Sequence, residues 1–277
     1  MIVAKEFPDK EFANKEELFT ALRENKSILI AQKKMITKEA DSTINIVEVS
    51  SSSEVNKAES NIENATKLIA KLAINTTNIM DSHSDVHLKG IWNKSVKEQK
   101  NILLLQEHQM KFSSIISDKV VPSVKKMTWK KLGFDFEGTT EVLMFDAEID
   151  KDRNEFMFNQ YKKGYVKEHS VGMRYVKIEL AVNSDSKYDE VEKAVYDKYI
   201  NQIVNKEVAE MQGYFFAVTE AKVVEGSAVV KGSNFATPTI SIEAVKIDTS
   251  SENKEEPSID TQIELQKQLL TQILHKF

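Results

Sequence analysis

The chain has 277 residues, 41% hydrophobic and 29% charged, with a net charge of −5 from interleaved acids and bases, enough for one large or two small domains with buried cores. The absence of cysteine excludes disulfides, thiolate metal sites and cysteine nucleophiles, and no clustered basic surface of the kind nucleic acid needs is present. No apolar run approaches membrane-spanning length and residues 1–10 lack the apolar region of a signal peptide, so a cytoplasmic protein without membrane or nucleic-acid partners is expected.

Asn14 is placed to cap a short helix reaching Arg23. Residues 27–31 and 44–49 read as strands and 50–53 as a serine-rich turn. From Asn61 to Leu72 the apolar residues Ala65, Leu68, Ile69 and Leu72 fall at helical spacing, ahead of a β-like stretch at 74–79. If Asp81-Ser82-His83-Ser84-Asp85-Val86-His87 is extended, His83, Asp85 and His87 share one face. That is either a three-ligand set for a metal-dependent hydrolase or a polar strand end with hydrogen-bonded histidines.

Residues 101–106 predict a strand, and His108 stands just after its Leu103-Leu104-Leu105 run. It is either a rigidly held, partly desolvated base or a surface histidine. Glu141 to Ile149 alternates, with Val142, Met144 and Asp146 on one side and Leu143, Phe145 and Ala147 on the other. A helix at 153–163 leads into His169-Ser170-Val171-Gly172-Met173, which opens the apolar run 171–178. Ser170 therefore heads a strand as a candidate nucleophile, with the N–H groups of Val171 and Gly172 beside it to receive an oxyanion. Neighbouring strand residues face opposite ways, so His169 reads as structural.

Lys187 to Met211 carries apolar residues every three or four positions and predicts the longest helix. Strand-like runs follow at 214–218, 221–225, 228–230 and 240–247. Glu225, set between apolar pairs, is either an edge-strand carboxylate or the residue that orients a catalytic histidine. Residues 249–257 are polar, charged and aperiodic, a disordered linker. Ser258 then caps an amphipathic helix bearing Ile259, Ile263, Leu270 and Leu274, suited either to docking and self-association or to packing on its own domain.

Taken in order, several segments resemble the prohead (capsid maturation) proteases of tailed bacteriophages. They are Asp81 to His87 with Gly90-Ile91-Trp92; Leu104-Leu105-Gln106-Glu107-His108; Phe145 to Ile149; Glu168-His169-Ser170-Val171-Gly172-Met173; and Glu225-Gly226-Ser227-Ala228-Val229-Val230 with Gly232-Ser233-Asn234 and Thr237-Pro238. The resemblance covers about residues 75 to 247. The chain departs from the family pattern in its long interval from 108 to 170 and in Met173, where an aromatic is frequent.

The resemblance implies an α+β fold like that of herpesvirus assemblins, a compact β-barrel surrounded by helices. It divides the chain into an N-terminal α/β elaboration (1–74), a protease domain (75–248), the linker (249–257) and the C-terminal helix (258–277). It implies a serine endopeptidase with Ser170 as nucleophile, His108 as base and Glu225 as third member, His87 being the rival because assemblins use a histidine there. Arg174 is a candidate to assist the oxyanion. No cofactor or metal is called for. The implied substrates are the major capsid protein and the scaffold, with self-cleavage and self-association, inside the procapsid in the host cytoplasm. The alternatives are a non-catalytic capsid-assembly or scaffold protein on the same fold, and the His83/Asp85/His87 metal-dependent hydrolase.

Overall fold

A computed structural model describes residues 1–35, 56–57, 62–98 and 101–245. The strand expected at 44–49, the turn at 50–53, the linker at 249–257 and the helix at 258–277 lie outside the described residues. The elements in order are β1 (Ile2–Ala4), β2 (Phe7–Phe12), α1 (Lys15–Glu24), α2 (Lys26–Met35), β3 (Asn56–Lys57), β4 (Lys67–Thr76), β5 (Asp85–His87), α3 (Asn93–Glu98), β6 (Leu103–Gln106), β7 (Ile115–Ser117), β8 (Val120–Thr128), β9 (Thr139–Asp150), α4 (Glu155–Lys163), β10 (Glu168–Val182), α5 (Glu190–Tyr199), α6 (Lys206–Gln212), β11 (Tyr214–Val229) and β12 (Thr239–Ala244). None of the described helices is long and apolar enough to cross a membrane.

The architecture is α+β, but the strands form open sheets rather than the expected closed barrel. Beside a two-stranded β1-β2 sheet, two five-stranded sheets form: one runs β10-β11-β6-β7, with β5 also paired to β11, and the other β3-β12-β4-β9-β8. The two pack face to face. Leu68, Leu72 and Ile74 of β4 and Leu143, Phe145 and Ile149 of β9 share one core with Val171 and Met173 of β10 and Val223 and Ala228 of β11. A single bridge, Glu168 to Pro238, joins the start of β10 to the segment before β12. Met1–Val245 form one compact unit, and β4 runs through residues 74 and 75, so the boundary expected there falls inside a strand.

Three local expectations give way to tertiary structure. Residues 27–31 are helical, within α2, and only Leu29 of that helix is buried. The stretch expected as a helix at 61–72 enters β4: Leu68, Ala70, Leu72 and Ile74 satisfy a period of two as well as the other reading satisfied 3.6, and pairing to β9 and β12 decides the matter. The long helix expected at 187–211 is broken between α5 and α6. There Asn205 accepts the Met80 N–H at 2.9 Å and donates to the Met80 carbonyl at 3.0 Å, a ladder-like pairing that a continuous helix would forfeit.

The three short runs expected between 214 and 230 form instead one 16-residue strand, β11, whose register with β10 shifts near Gly172/Met173 and around Lys177. Asn14 caps α1 as expected, accepting the Glu17 N–H at 2.9 Å, and β9 keeps its alternation.

The sheets approach closely at Gly226, where an added Cβ would lie 2.4 Å from Phe145 Cε2 and 3.2 Å from Ile74 Cγ2. Gly226→Ala is therefore expected to destabilise the protein by about 1–3 kcal/mol through overpacking, read as a lower urea midpoint at an unchanged slope.

Candidate functional site

β11 places Glu225 and Ser227 on one face and Gly226 on the other, because side chains alternate along a strand. Gly226 faces Phe145 across the core, so Glu225 and Ser227 face away from the second sheet. β10 runs antiparallel with Ser170 opposite Ser227 and Gly172 opposite Glu225. Directly opposed residues project to the same side, and Ser170 thus joins Ser227 and Glu225 on the outer face.

β6 runs parallel to β11 on its other side, with Leu105 opposite Ser227 and Gln106 opposite Ala228. After Gln106 the chain turns sharply through Glu107 and His108, with φ of 51° and 56°. Two successive non-glycine residues in the left-handed region are unfavourable. The turn is held by Glu107 N–H donating to the Ala228 carbonyl at 3.0 Å and His108 N–H donating to Ser227 Oγ at 3.0 Å.

The turn lays the His108 imidazole on Glu225. His108 Nδ1 is 2.5 Å from Glu225 Oε1, with both side chains almost wholly buried. Ser227 Oγ donates to the other carboxylate oxygen at 2.6 Å. A carboxylate can only accept, so the ring carries its proton on Nδ1 and presents a lone pair at Nε2 when neutral. His108 Nε2 is buried and makes no hydrogen bond, to Ser170 or otherwise, among the described residues.

Gly172 is part of this arrangement for a reason other than the one expected. A Cβ there would lie 1.9 Å from Glu225 Oε1, so the carboxylate occupies the space that any other side chain needs. His169 N–H points away from β11, to the Thr237 carbonyl at 3.1 Å. By the alternation of an antiparallel ladder, Val171 N–H points the same outward way, while those of Ser170 and Gly172 turn toward β11. Val171 is left as the outward-facing amide, and Arg174 is exposed.

His169 occupies the core side of β10, fully buried, and its ring meets Tyr161 of α4 at 3.0 Å and the Thr237 carbonyl at 3.1 Å. Burial lowers its pKa from 6.5 to about 4, the Thr237 carbonyl acting weakly the other way. Burial likewise pushes the Tyr161 hydroxyl above its ordinary range.

His83, Asp85 and His87 are not gathered as ligands, and no group of three or more such side chains among the described residues is arranged to hold a metal. Asp85 accepts from Lys33 at 2.7 Å and from the Tyr175 hydroxyl at 2.7 Å. His87 Nε2 meets the same hydroxyl at 3.0 Å, and its Nδ1 meets Asn75 at 3.0 Å. Burial first, then the charges of Asp85 and Asp81, raises the Tyr175 pKa. His87 is thus committed to Asn75 and Tyr175, whereas Glu225 is the acid at His108.

No family model, curated protein or solved structure matches the chain. The site therefore stands on its geometry. Ser170, His108 and Glu225 come from three strands or strand ends of one sheet. Ser227 was missed as a member. Its signal was present, since a serine two residues after an acid in a strand shares that acid's face. A cleft of about 330 Å³ abuts the turn, bordered by Glu107, Lys167 and Val229 and by the exposed Phe156, Tyr165 and Val230.

The His169 environment sets a pH dependence. The folded state holds the ring neutral to about pH 4, whereas the unfolded chain takes a proton near 6.5. The stabilisation is present in full above about pH 6.5 and is lost as pH falls toward 4, by about 3 kcal/mol in all. Urea unfolding across that range is expected to show this loss, and His169→Asn a shallower one.

Proposed function

We propose that the chain is a serine endopeptidase in which Ser170 is the nucleophile, His108 the general base and Glu225 the residue that orients and charges the base. One observation carries the reading: Glu225 fixes the His108 proton on Nδ1, leaving a buried Nε2 lone pair with no hydrogen-bond partner among the described residues, on the sheet face that carries the Ser170 hydroxyl.

His108 Nε2 takes the Ser170 proton as Oγ attacks the peptide carbonyl. Glu225, already at Nδ1, stabilises the imidazolium that forms. The outward Val171 amide supplies a donor to the oxyanion, a contribution of about 3–4 kcal/mol where the geometry is good. His108 then passes its proton to the leaving amine, and water hydrolyses the acyl-enzyme by the same relay. Ser227 is excluded as nucleophile because its hydroxyl proton is committed to Glu225 and its side chain is fully buried. Ser170 retains slight exposure, at 8%.

The ordered resemblance to prohead proteases supports the substrate class: capsid and scaffold proteins, and the chain itself, cut during procapsid maturation. A non-catalytic assembly role would leave the His108–Glu225 pairing and the space reserved for it at Gly172 without use.

Co-expression with the matching capsid and scaffold proteins, read by mass spectrometry, tests the assignment. The wild type should cleave them without metal and in the presence of EDTA. Ser170→Ala, His108→Ala and Glu225→Gln should each lower cleavage by on the order of 10³-fold or more. Gly172→Ala should cost about 100-fold by displacing the carboxylate. Undiminished cleavage by folded Ser170→Ala would overturn the nucleophile.

A further inference from the structure

We propose that Ser227 is a positioning residue: a single hydroxyl that locks the backbone of the base and the carboxylate that orients it into one arrangement. Its catalytic consequence rests on the endopeptidase reading; its structural content does not.

A hydroxyl offers one proton and two lone pairs. Ser227 gives the proton to Glu225 Oε2 at 2.6 Å and accepts the His108 N–H at 3.0 Å. The base and its partner carboxylate are thereby tied together twice, directly through Nδ1 and Oε1 and indirectly through this hydroxyl. The indirect tie matters because of where His108 sits. Its backbone and that of Glu107 are both left-handed, an arrangement that persists only where surrounding contacts hold it. Those contacts are the two backbone N–H hydrogen bonds to successive residues of β11, from Glu107 to the Ala228 carbonyl and from His108 to Ser227 Oγ.

Removing the hydroxyl leaves the His108 N–H and Glu225 Oε2 without these partners in a site shielded from water. The turn loses one of its two amide anchors, and the carboxylate loses the donor that holds its second oxygen. Ring and carboxylate are then free to separate while the rest of the sheet, paired along all of β11, stays in place.

The test compares wild type, Ser227→Ala and Ser227→Thr by NMR and by hydrolysis of a capsid-derived peptide. In the wild type the His108 Nδ1 proton should be visible, sheltered against Glu225, and the His108 amide protected from exchange. In Ser227→Ala the Nδ1 signal should vanish into solvent exchange and the amide exchange at least about 10-fold faster. The His169 ring signals, from the opposite face of β10, should not move, which separates repositioning from loss of fold. Hydrolysis should fall about 100-fold in kcat with little change in KM, and Ser227→Thr should restore most of both.

A folded Ser227→Ala that keeps the Nδ1 signal and the amide protection would overturn the proposal. So would an unprotected His108 amide in the wild type, a result that needs no variant. The expected NMR changes in a protein that hydrolyses no peptide would support the positioning role and count against the endopeptidase reading instead.

Discussion

A buried carboxylate must be met on both oxygens or lose its charge, and the candidate site is arranged around how Glu225 meets that demand. One oxygen faces His108 Nδ1 and the other the Ser227 hydroxyl. The carboxylate reaches those positions only by leaning over the neighbouring strand, where it fills the volume that a Cβ at residue 172 would need. The glycine at 172, the serine at 227 and the left-handed turn at 107–108 are thus consequences of one requirement. Each is otherwise unfavourable or unremarkable, and together they fix a histidine in the tautomer that a base needs.

Strand parity divides the candidate site from the core. On β10 His169 and Ser170 are neighbours with opposite fates. The histidine points into the core, neutral and bonded to Tyr161 and Thr237, while the serine points to the face shared by Glu225 and His108. On β11 the same alternation sends Gly226 against Phe145 and leaves its two neighbours for the site. A second polar chain, Lys33–Asp85–Tyr175–His87–Asn75, links α2, β5, β10 and β4. Its acid and its histidine are as buried as those of the site, but both are bonded within the network, whereas His108 keeps its Nε2 unbonded among the described residues.

The sequence was most legible where a pattern had a single solution. The Asn14 cap, the alternation of 141–149 and the opposite facing of His169 and Ser170 all follow from local geometry, and all hold. Residues 61–72 were ambiguous because Leu68 and Leu72 fit periods of two and 3.6 alike, and only pairing with β9 and β12 separates them. The break between α5 and α6 depends on Met80, over 120 residues away, and no window along the chain contains that information. At the site, His108 and Glu225 were visible as separate candidates. What joins them is a parallel pairing of β6 with β11 across more than 100 residues. The reason for Gly172 was invisible for the same cause: its neighbour in space is a carboxylate 53 positions away in the chain.

Under the proposed function the His108–Glu225 pair activates one hydroxyl, that of Ser170. Treating the wild-type protein with a fluorophosphonate and mapping the adduct by tandem mass spectrometry measures this without knowledge of the substrate. A single adduct on Ser170, absent when His108 is replaced by alanine, is the predicted result. No adduct, or an adduct on another serine that persists without His108, would contradict it.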